Sequence, residues 1–282
     1  MRSSEIMRRI EACRDLRRLA VLIAEMEDAF TPLDFADALA NSPSPMDGGP
    51  LAATIIRRQL SRGPPEGYRR TAIIDDIALL SDPDHPRAGK TLLLGWTGRG
   101  FRIGLPIVSF AQLLPSRLYD IVVLRDPRRL GFAHGIADYA DTLPAVAARL
   151  RADLEFDSYA RVVTLGASSG GLPALRAALL LSAERGISFG GLFHWQIPEL
   201  LSGTGTFEAP GYDILCACGP TSRSRLIGVY GEQNERDRRH ADILASICRI
   251  ERITVATRSH TVLFELLKKG VARSFLRQVL TF

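Results

Sequence analysis

Short apolar runs alternate with helical stretches along the chain from about residue 68 onwards. The runs are compact, as expected for strands buried on both faces of a sheet. Because most are separated by enough residues for a crossover, the pattern predicts an α/β fold, a doubly wound, mostly parallel sheet flanked by helices. The predicted strands are Thr71–Leu80, Thr91–Leu94, Leu118–Leu124, Arg161–Leu165, Ile187–Phe193, Arg225–Tyr230 and Arg252–Ala256, and the predicted helices include Ile136–Leu154, Arg238–Ile250 and Val262–Lys269.

The first part of the chain has a different pattern. Apolar residues recur at helical spacing over residues 5–30 with arginines around them, which predicts an amphipathic helix. Packing against the main domain, a second copy of the chain or another partner explains its apolar face better than membrane binding does. Thr31–Asp34 predicts the start of a further short helix. The turn-rich stretch Asn41–Pro50 then predicts a boundary between an N-terminal helical extension, residues 1–50, and the main domain, residues 51–282.

The composition fits a globular protein. The 282 residues are 46% hydrophobic and 24% charged, which is enough to bury one large core and unlike disordered or collagen-like chains. The formal net charge is +5, but the basic residues are scattered among acidic ones rather than gathered on one helix or face. The sequence therefore does not indicate nucleic-acid binding, whereas an anionic substrate or surface stays compatible with it.

Cysteine and histidine spacing argues against disulfides and metals. The four cysteines form neither C-x-x-C pairs nor a regular framework, and the histidines lack ligand spacing. We expect buried thiols, a reducing compartment, and neither a metal nor another cofactor. No apolar run approaches the ~20 residues that span a bilayer, and the N-terminal stretch lacks the pattern of a signal peptide. These features predict a cytoplasmic protein without a transmembrane segment.

One strand-to-helix turn carries the clearest chemical signal. The predicted strand that begins at Arg161 leads into Gly166-Ala167-Ser168-Ser169-Gly170-Gly171, and an Ala/Leu-rich helical run follows. The turn fits G-x-S-x-G, in which a strained backbone raises the hydroxyl of Ser168 above the sheet at a helix N-terminus. A glycine-rich turn that binds a phosphate, or nothing, is the alternative.

A glycine-rich loop, Gly95-Trp96-Thr97-Gly98-Arg99-Gly100, follows an earlier strand. The carboxyl ends of parallel strands share one edge of the sheet, where doubly wound folds place their sites. In a serine hydrolase such a loop supplies one backbone N–H of the oxyanion hole, and the residue after the nucleophile supplies the other. We therefore predict donors at Trp96 or Thr97 and at Ser169, with a plain glycine turn as the alternative.

An acid and a histidine follow the last two strands. Asp237 lies where a loop enters a helix, although aspartate is also a good N-cap there, and Glu232 and Glu235 compete with it. His260 comes just past the final strand, from which it can reach Ser168 as general base and then general acid.

Substrate contacts are predicted at three positions. Thr97 lies in the glycine-rich loop, whereas His194 and Trp195 begin the segment 194–224, an insertion rich in glycine, proline and aromatic residues. Such a segment suits the wall of a substrate pocket. The remaining histidines, His85, His134 and His240, are expected to be solvated or to cap helices.

Taken together, these residues resemble the α/β-hydrolase superfamily over roughly residues 70–280. The Gly-Ala-Ser-Ser-Gly-Gly turn, the glycine loop before it, and the acid and histidine after it follow that family's order of serine, acid and histidine. The chain departs from commoner members in having Gly-Trp-Thr-Gly where many have His-Gly, in its longer acid loop, and in lacking a large cap insertion. The resemblance implies Ser168 as nucleophile, His260 as base, Asp237 as orienting acid, and Ser169 and Trp96 as oxyanion donors.

The reaction that this resemblance implies is acyl transfer through a covalent acyl-serine, with a carboxylic ester or thioester as substrate. The acceptor of the acyl group separates an esterase or thioesterase from an acyltransferase. A fold of this kind also serves as a non-catalytic binding or scaffold module. Glycan esters, small metabolite esters and carrier-bound thioesters all stay open as substrates.

Overall fold

The computed structural model describes residues 30–40, 63–191 and 222–281, with a few isolated positions between 9 and 26 and between 214 and 217. The described residues form one eight-stranded sheet. Its strands are β1 (Arg69–Ile74), β2 (Ile77–Ser81), β3 (Thr91–Trp96), β4 (Tyr119–Leu124), β5 (Arg161–Ala167), β6 (Arg185–Phe189), β7 (Arg225–Gly231) and β8 (Glu251–Val255).

The strand order is β1-β2-β4-β3-β5-β6-β7-β8. Strands β3 to β8 run parallel, whereas β2 pairs antiparallel with β4 and with β1 at the edge. The helices are α1 (Pro32–Ala40), α2 (Ile107–Ala111), α3 (Leu143–Asp153), α4 (Gly171–Leu181), α5 (Glu235–Ile247), α6 (Val262–Lys268) and α7 (Ala272–Thr281). The predicted doubly wound, mostly parallel α/β sheet is confirmed.

Two apolar clusters hold the helices on the two faces of the sheet. Alternate side chains of β3 divide between them: Leu92 and Leu94 join the cluster formed with α3, α4 and α5, and Leu93 joins the one formed with α2, α6 and α7. Because the central strands are buried on both faces, they read as continuous apolar runs in the sequence. Because β3 to β8 run parallel, the carboxyl ends of these strands lie at the same edge of the sheet.

Several predicted elements have other bounds in the structure. The strand predicted at Ile187–Phe193, for example, is β6, which ends at Phe189. The stretch Thr71–Leu80 is a hairpin rather than one strand, because Asp75 and Asp76 form the turn between β1 and β2. The predicted helix Ile136–Leu154 begins only at Leu143, where the hydroxyl of Thr142 accepts a hydrogen bond from the Ala145 N–H at 3.3 Å.

The N-terminal region is described only in part. The predicted restart of a helix after residue 30 is confirmed by α1, and its capping pair is reciprocal: Thr31 N–H donates to Asp34 Oδ2 at 2.8 Å, and Asp34 N–H donates to Thr31 Oγ1 at 3.3 Å. Most of the predicted helix 5–30, and the predicted boundary after Asn41–Pro50, lie outside the described residues. None of the helices in the described parts of the chain is long and apolar enough to cross a membrane.

Candidate active site

The predicted serine turn joins β5 to α4 through a strained backbone. Strand β5 ends at Ala167, and Ser168, the first residue of the 3-10 turn that leads into α4, adopts a left-handed backbone with φ of 55°. A non-glycine residue in this region is strained, and such strain is concentrated at functional sites. A Cβ on Gly170 would lie 2.3 Å from the Trp96 carbonyl oxygen, so only glycine lets the turn pass over the end of β3.

An acid and a histidine meet beside this turn. The two carboxylate oxygens of Asp237 lie 2.9 and 3.0 Å from His260 Nδ1. A carboxylate only accepts, so Nδ1 donates and the neutral ring presents Nε2 as a base. The Asp237 side chain is fully buried, while 24% of the His260 side chain is exposed. The pair therefore joins a buried acid to a histidine that reaches the surface of the site.

Helix α5 places this acid. The helix begins at Glu235, three residues before the predicted start, and Asn234 caps it by accepting from the Asp237 N–H at 3.1 Å. Asp237 is therefore the third residue of α5 and turns its carboxylate inward, while Glu232 and Glu235 are exposed. The N-cap role considered for Asp237 belongs to Asn234.

Ser168 and His260 line the same open cavity of about 440 Å³. Among the described contacts, no hydrogen bond joins the Ser168 hydroxyl to the His260 ring. Catalytic hydrogen bonds of this kind are often long in a ligand-free site and shorten when substrate binds. The structure thus brings the predicted nucleophile, base and acid to one place, with the acid–base contact formed.

The glycine loop does not bring Trp96 or Thr97 to the cavity. Trp96 is fully buried and is paired in the sheet with Leu124 and Gly166. Both the N–H and the hydroxyl of Thr97 donate to the Leu124 carbonyl, at 3.0 and 2.9 Å. The part of the loop that lines the cavity begins at Gly98. Ser169, directly after the nucleophile, is buried at the start of the turn into α4.

Several residues that line the cavity have no predicted role in the sequence analysis. They are Arg99 and Arg102 from the loop after β3, Phe189 at the end of β6, and Leu263 and Phe264 from the start of α6. No spacing rule marks such residues, because their common location depends on which strands are neighbours. His194 and Trp195, the predicted pocket residues, lie outside the described residues.

A second histidine lies behind the acid. The sequence predicted that His240 is solvated or caps a helix. This prediction is wrong, because His240 is buried on α5. Burial lowers its pKa, an effect that the nearby Asp237 charge and a hydrogen bond to the Gly191 backbone oppose.

Gly190, with φ of +55°, passes close to the acid–histidine pair: a Cβ there would lie 3.0 Å from His260 Nδ1. Within the parts of the chain that the structure describes, no cluster of metal-binding side chains occurs.

Solved structures show the same fold. A dienelactone hydrolase from Anabaena variabilis aligns with a TM-score of 0.51 at 17% identity, over 74% of this chain and 95% of that one. The 2,6-dihydroxy-pseudo-oxynicotine hydrolase aligns with a TM-score of 0.53 at 15% identity, over 99% of this chain and 87% of that one. The capsule O-acetyltransferase of Neisseria meningitidis serogroup A aligns with a TM-score of 0.50 at 10% identity, over 75% of this chain and 97% of that one.

The chain therefore has the α/β-hydrolase fold that its sequence resembles. No family model and no curated protein matches the sequence.

Proposed function

We propose that the protein is a serine hydrolase that cleaves a carboxylic ester or thioester through an acyl-serine intermediate. The observation that carries the proposal is the contact of the Asp237 carboxylate with His260 Nδ1 beside the cavity that Ser168 also lines. An orienting acid, a base with its second nitrogen available, and a serine on a strained elbow make up the set that acyl transfer requires.

In the proposed reaction, the Ser168 hydroxyl attacks the carbonyl carbon while His260 Nε2 takes its proton. His260 returns that proton to the leaving alcohol or thiol, which departs and leaves the acyl group on Ser168. Water then attacks the acyl-serine by the same route, which releases the acid and restores the hydroxyl. Asp237 holds the ring in the required tautomer and stabilises the imidazolium that forms in each half.

The negative oxygen of the tetrahedral intermediate needs backbone donors. We assign one to the N–H of Ser169, as the elbow geometry favours. The N–H of Thr97 donates to Leu124, the N–H of Gly98 donates to the Arg102 carbonyl, and Trp96 is buried in the sheet, so we assign the second donor to the part of the turn that follows Gly98.

Labelling with a fluorophosphonate probe tests the proposal. The wild-type protein should be labelled, Ser168→Ala should not, and Ser169→Ala should retain labelling because only its backbone is used. Equal labelling of wild type and Ser168→Ala, or no labelling of a folded wild type, would contradict the assignment.

Transfer to a hydroxyl acceptor would use the same three residues, so product analysis with and without added alcohols separates an acyltransferase from a hydrolase.

A further inference from the structure

The cavity beside Ser168 has an apolar floor. The side chains that form this cavity floor come from the loop before α2, the end of β6 and the start of α6, and they are Leu105, Phe189, Val262 and Leu263. All of them are buried and belong to the apolar cluster formed with α2, α6 and α7. Because these side chains are packed into the core, the floor is formed before a ligand binds.

The cavity floor reaches the nucleophile. Gly104, which has φ of +69°, lies between the two: a Cβ there would be 3.0 Å from Leu263 Cδ1 and 3.6 Å from the Cβ of Ala167, the residue before Ser168. Ala167 also lines the cavity and belongs to the same apolar cluster. A group attached to a carbonyl at Ser168 would therefore meet apolar side chains directly beside the reacting atoms.

The other polar side chains of the cavity already have partners in the protein. Arg99 and Arg102 are both engaged within the chain. Thr261 Oγ1 lies 2.9 Å from Ser259 Oγ, a distance at which one hydroxyl donates to the other. Among the described residues that line the cavity, none is a carboxylate. Apart from Ser168 and His260, which carry the proposed reaction, the described lining therefore offers mainly apolar surface to a substrate.

One apolar side chain at the cavity is open to solvent. Phe264, the third residue of α6, lines the cavity and is 43% exposed, whereas the residues of the cavity floor are at most 3% exposed. Lys268 Nζ lies 4.7 Å from the centroid of the Phe264 ring, but this contact leaves the ring exposed. Removing apolar surface from water is favourable. The ring of Phe264 is therefore available to an apolar group of a substrate bound at Ser168.

We infer that the substrate carries an uncharged alkyl chain on one side of its ester or thioester carbonyl, and that the cavity floor and Phe264 bind this chain. This inference rests on the proposed function. It names the substrate class that the cavity recognises, and it makes Phe264 a determinant of specificity.

Two series of neutral substrates test the inference and separate the two sides of the carbonyl. The N-acetylcysteamine thioesters of acetate, butyrate and hexanoate lengthen the acyl group, whereas ethyl, butyl and hexyl acetate lengthen the alcohol. In at least one series, kcat/KM should rise about fourfold for each added methylene, the factor that the burial of one methylene supplies. A kcat/KM that is constant or falls with chain length in both series would overturn the inference.

Variants at Phe264 test its role. Phe264→Ala should lower the ratio of kcat/KM between the longest and the shortest member by about fivefold, because the burial of roughly two-fifths of a phenylalanine is lost. Phe264→Leu keeps an apolar side chain and should retain more of the ratio. Val271→Ala is the matched control, since Val271 is also 43% exposed but does not line the cavity. An unchanged ratio in Phe264→Ala, or an equal loss in Val271→Ala, would overturn the role of Phe264.

A binding measurement separates this inference from the proposed function. Calorimetric titration of Ser168→Ala protein with the members of both series does not depend on turnover. Tighter binding of the longer members with a negative heat-capacity change, weakened in Ser168→Ala/Phe264→Ala, would support the alkyl site even if no ester is hydrolysed. Binding that does not change with chain length, or that is undetectable for every member, would overturn it even if the fluorophosphonate labels Ser168.

Discussion

The sheet has a carboxylate–nitrogen contact at each end, and the two contacts are built differently. At the amino-terminal end, Lys90 Nζ lies 2.8 Å from Asp120 Oδ1, and both side chains are 1% exposed. At the carboxyl-terminal end, Asp237 contacts His260, whose side chain is 24% exposed. Both pairs bring a carboxylate to a nitrogen base between neighbouring strand ends, but only the second opens on a cavity.

The difference lies in the remaining hydrogen-bonding groups. The Lys90 ammonium also donates to the Asp82 carbonyl at 2.6 Å, and Tyr159 donates its hydroxyl to the second oxygen of Asp120 at 3.0 Å. This cluster is closed by protein groups, as a structural pair must be when it is cut off from water. The Asp237 contact occupies only Nδ1 of His260. The second ring nitrogen is therefore the one that the proposed reaction uses as a base.

The largest expected effect is on turnover. Asp237→Asn should lower kcat by about 10⁴-fold, because the amide no longer holds His260 in the tautomer that leaves Nε2 as base. The rate on a p-nitrophenyl ester and the unfolding midpoint should be measured together, since the stability should change far less than the rate. Glu235→Gln is the matched control on the same helix turn, and a loss there as large as in Asp237→Asn would refute the assignment of the acid.

The second effect is on stability and belongs to the closed pair. Lys90→Met leaves the Asp120 charge buried without its partner and should lower the free energy of unfolding by about 3–5 kcal/mol. Denaturant unfolding measures this, and replacing Asp120 by Leu in the same protein should recover part of the loss. Arg252→Met is the control: its pair with Asp242 is exposed, so the expected loss is under about 1 kcal/mol. Similar losses in the two single variants would contradict the contrast between closed and exposed pairs.

A smaller effect should appear at Gly190, which lies against the open pair. Gly190→Ala places a methyl group on a left-handed residue at 3.0 Å from His260 Nδ1 and 3.2 Å from Asp237 Oδ2. We expect a loss of about 1–2 kcal/mol in stability from the strain and a loss of about 10–100-fold in kcat from the displaced ring. Gly270→Ala, at φ of +76° with no atom within 4 Å, should show the strain alone. Normal turnover in Gly190→Ala would mean that the His260 ring has room to shift without cost.

The smallest effect concerns pH. Burial lowers the pKa of His240 in the folded protein, so the unfolded chain takes up a proton near its ordinary value of about 6.5 while the folded chain resists it. The contribution of His240 to stability is therefore complete above about pH 6.5 and is lost as the pH falls below it. Between pH 7.5 and 5.5, the wild type should lose more unfolding free energy than His240→Gln, by less than about 1.4 kcal/mol per pH unit. Parallel curves for the two proteins would exclude this role of His240.

Local patterns made much of the fold predictable. The apolar runs that became β3, β4 and β7 are bounded by turns and helix caps, and such signals need only a few consecutive residues. The turn at Ser168 is equally local, because the glycines that it requires all lie within the six residues Gly166–Gly171. The acids in Thr71–Leu80 and the threonine before α3 are local signals too, but the apolar pattern around them does not show that the acids form a turn or that the threonine begins the helix.

The sequence alone indicated most strands and helices in their order along the chain, although not the β1–β2 hairpin, α2 or α7. It also indicated the turn that carries Ser168 and the positions of an acid and a histidine after late strands. Only the tertiary structure decided that Asp237 rather than Glu232 or Glu235 meets His260, that the N–H of Thr97 is used inside the sheet, and that Arg99 and Arg102 line the same cavity as Ser168. The physical reason is that strands, helices and turns depend on steric and hydrogen-bonding preferences of residues that are adjacent in the sequence. Contacts between strand ends depend instead on how the strands pair across the whole sheet.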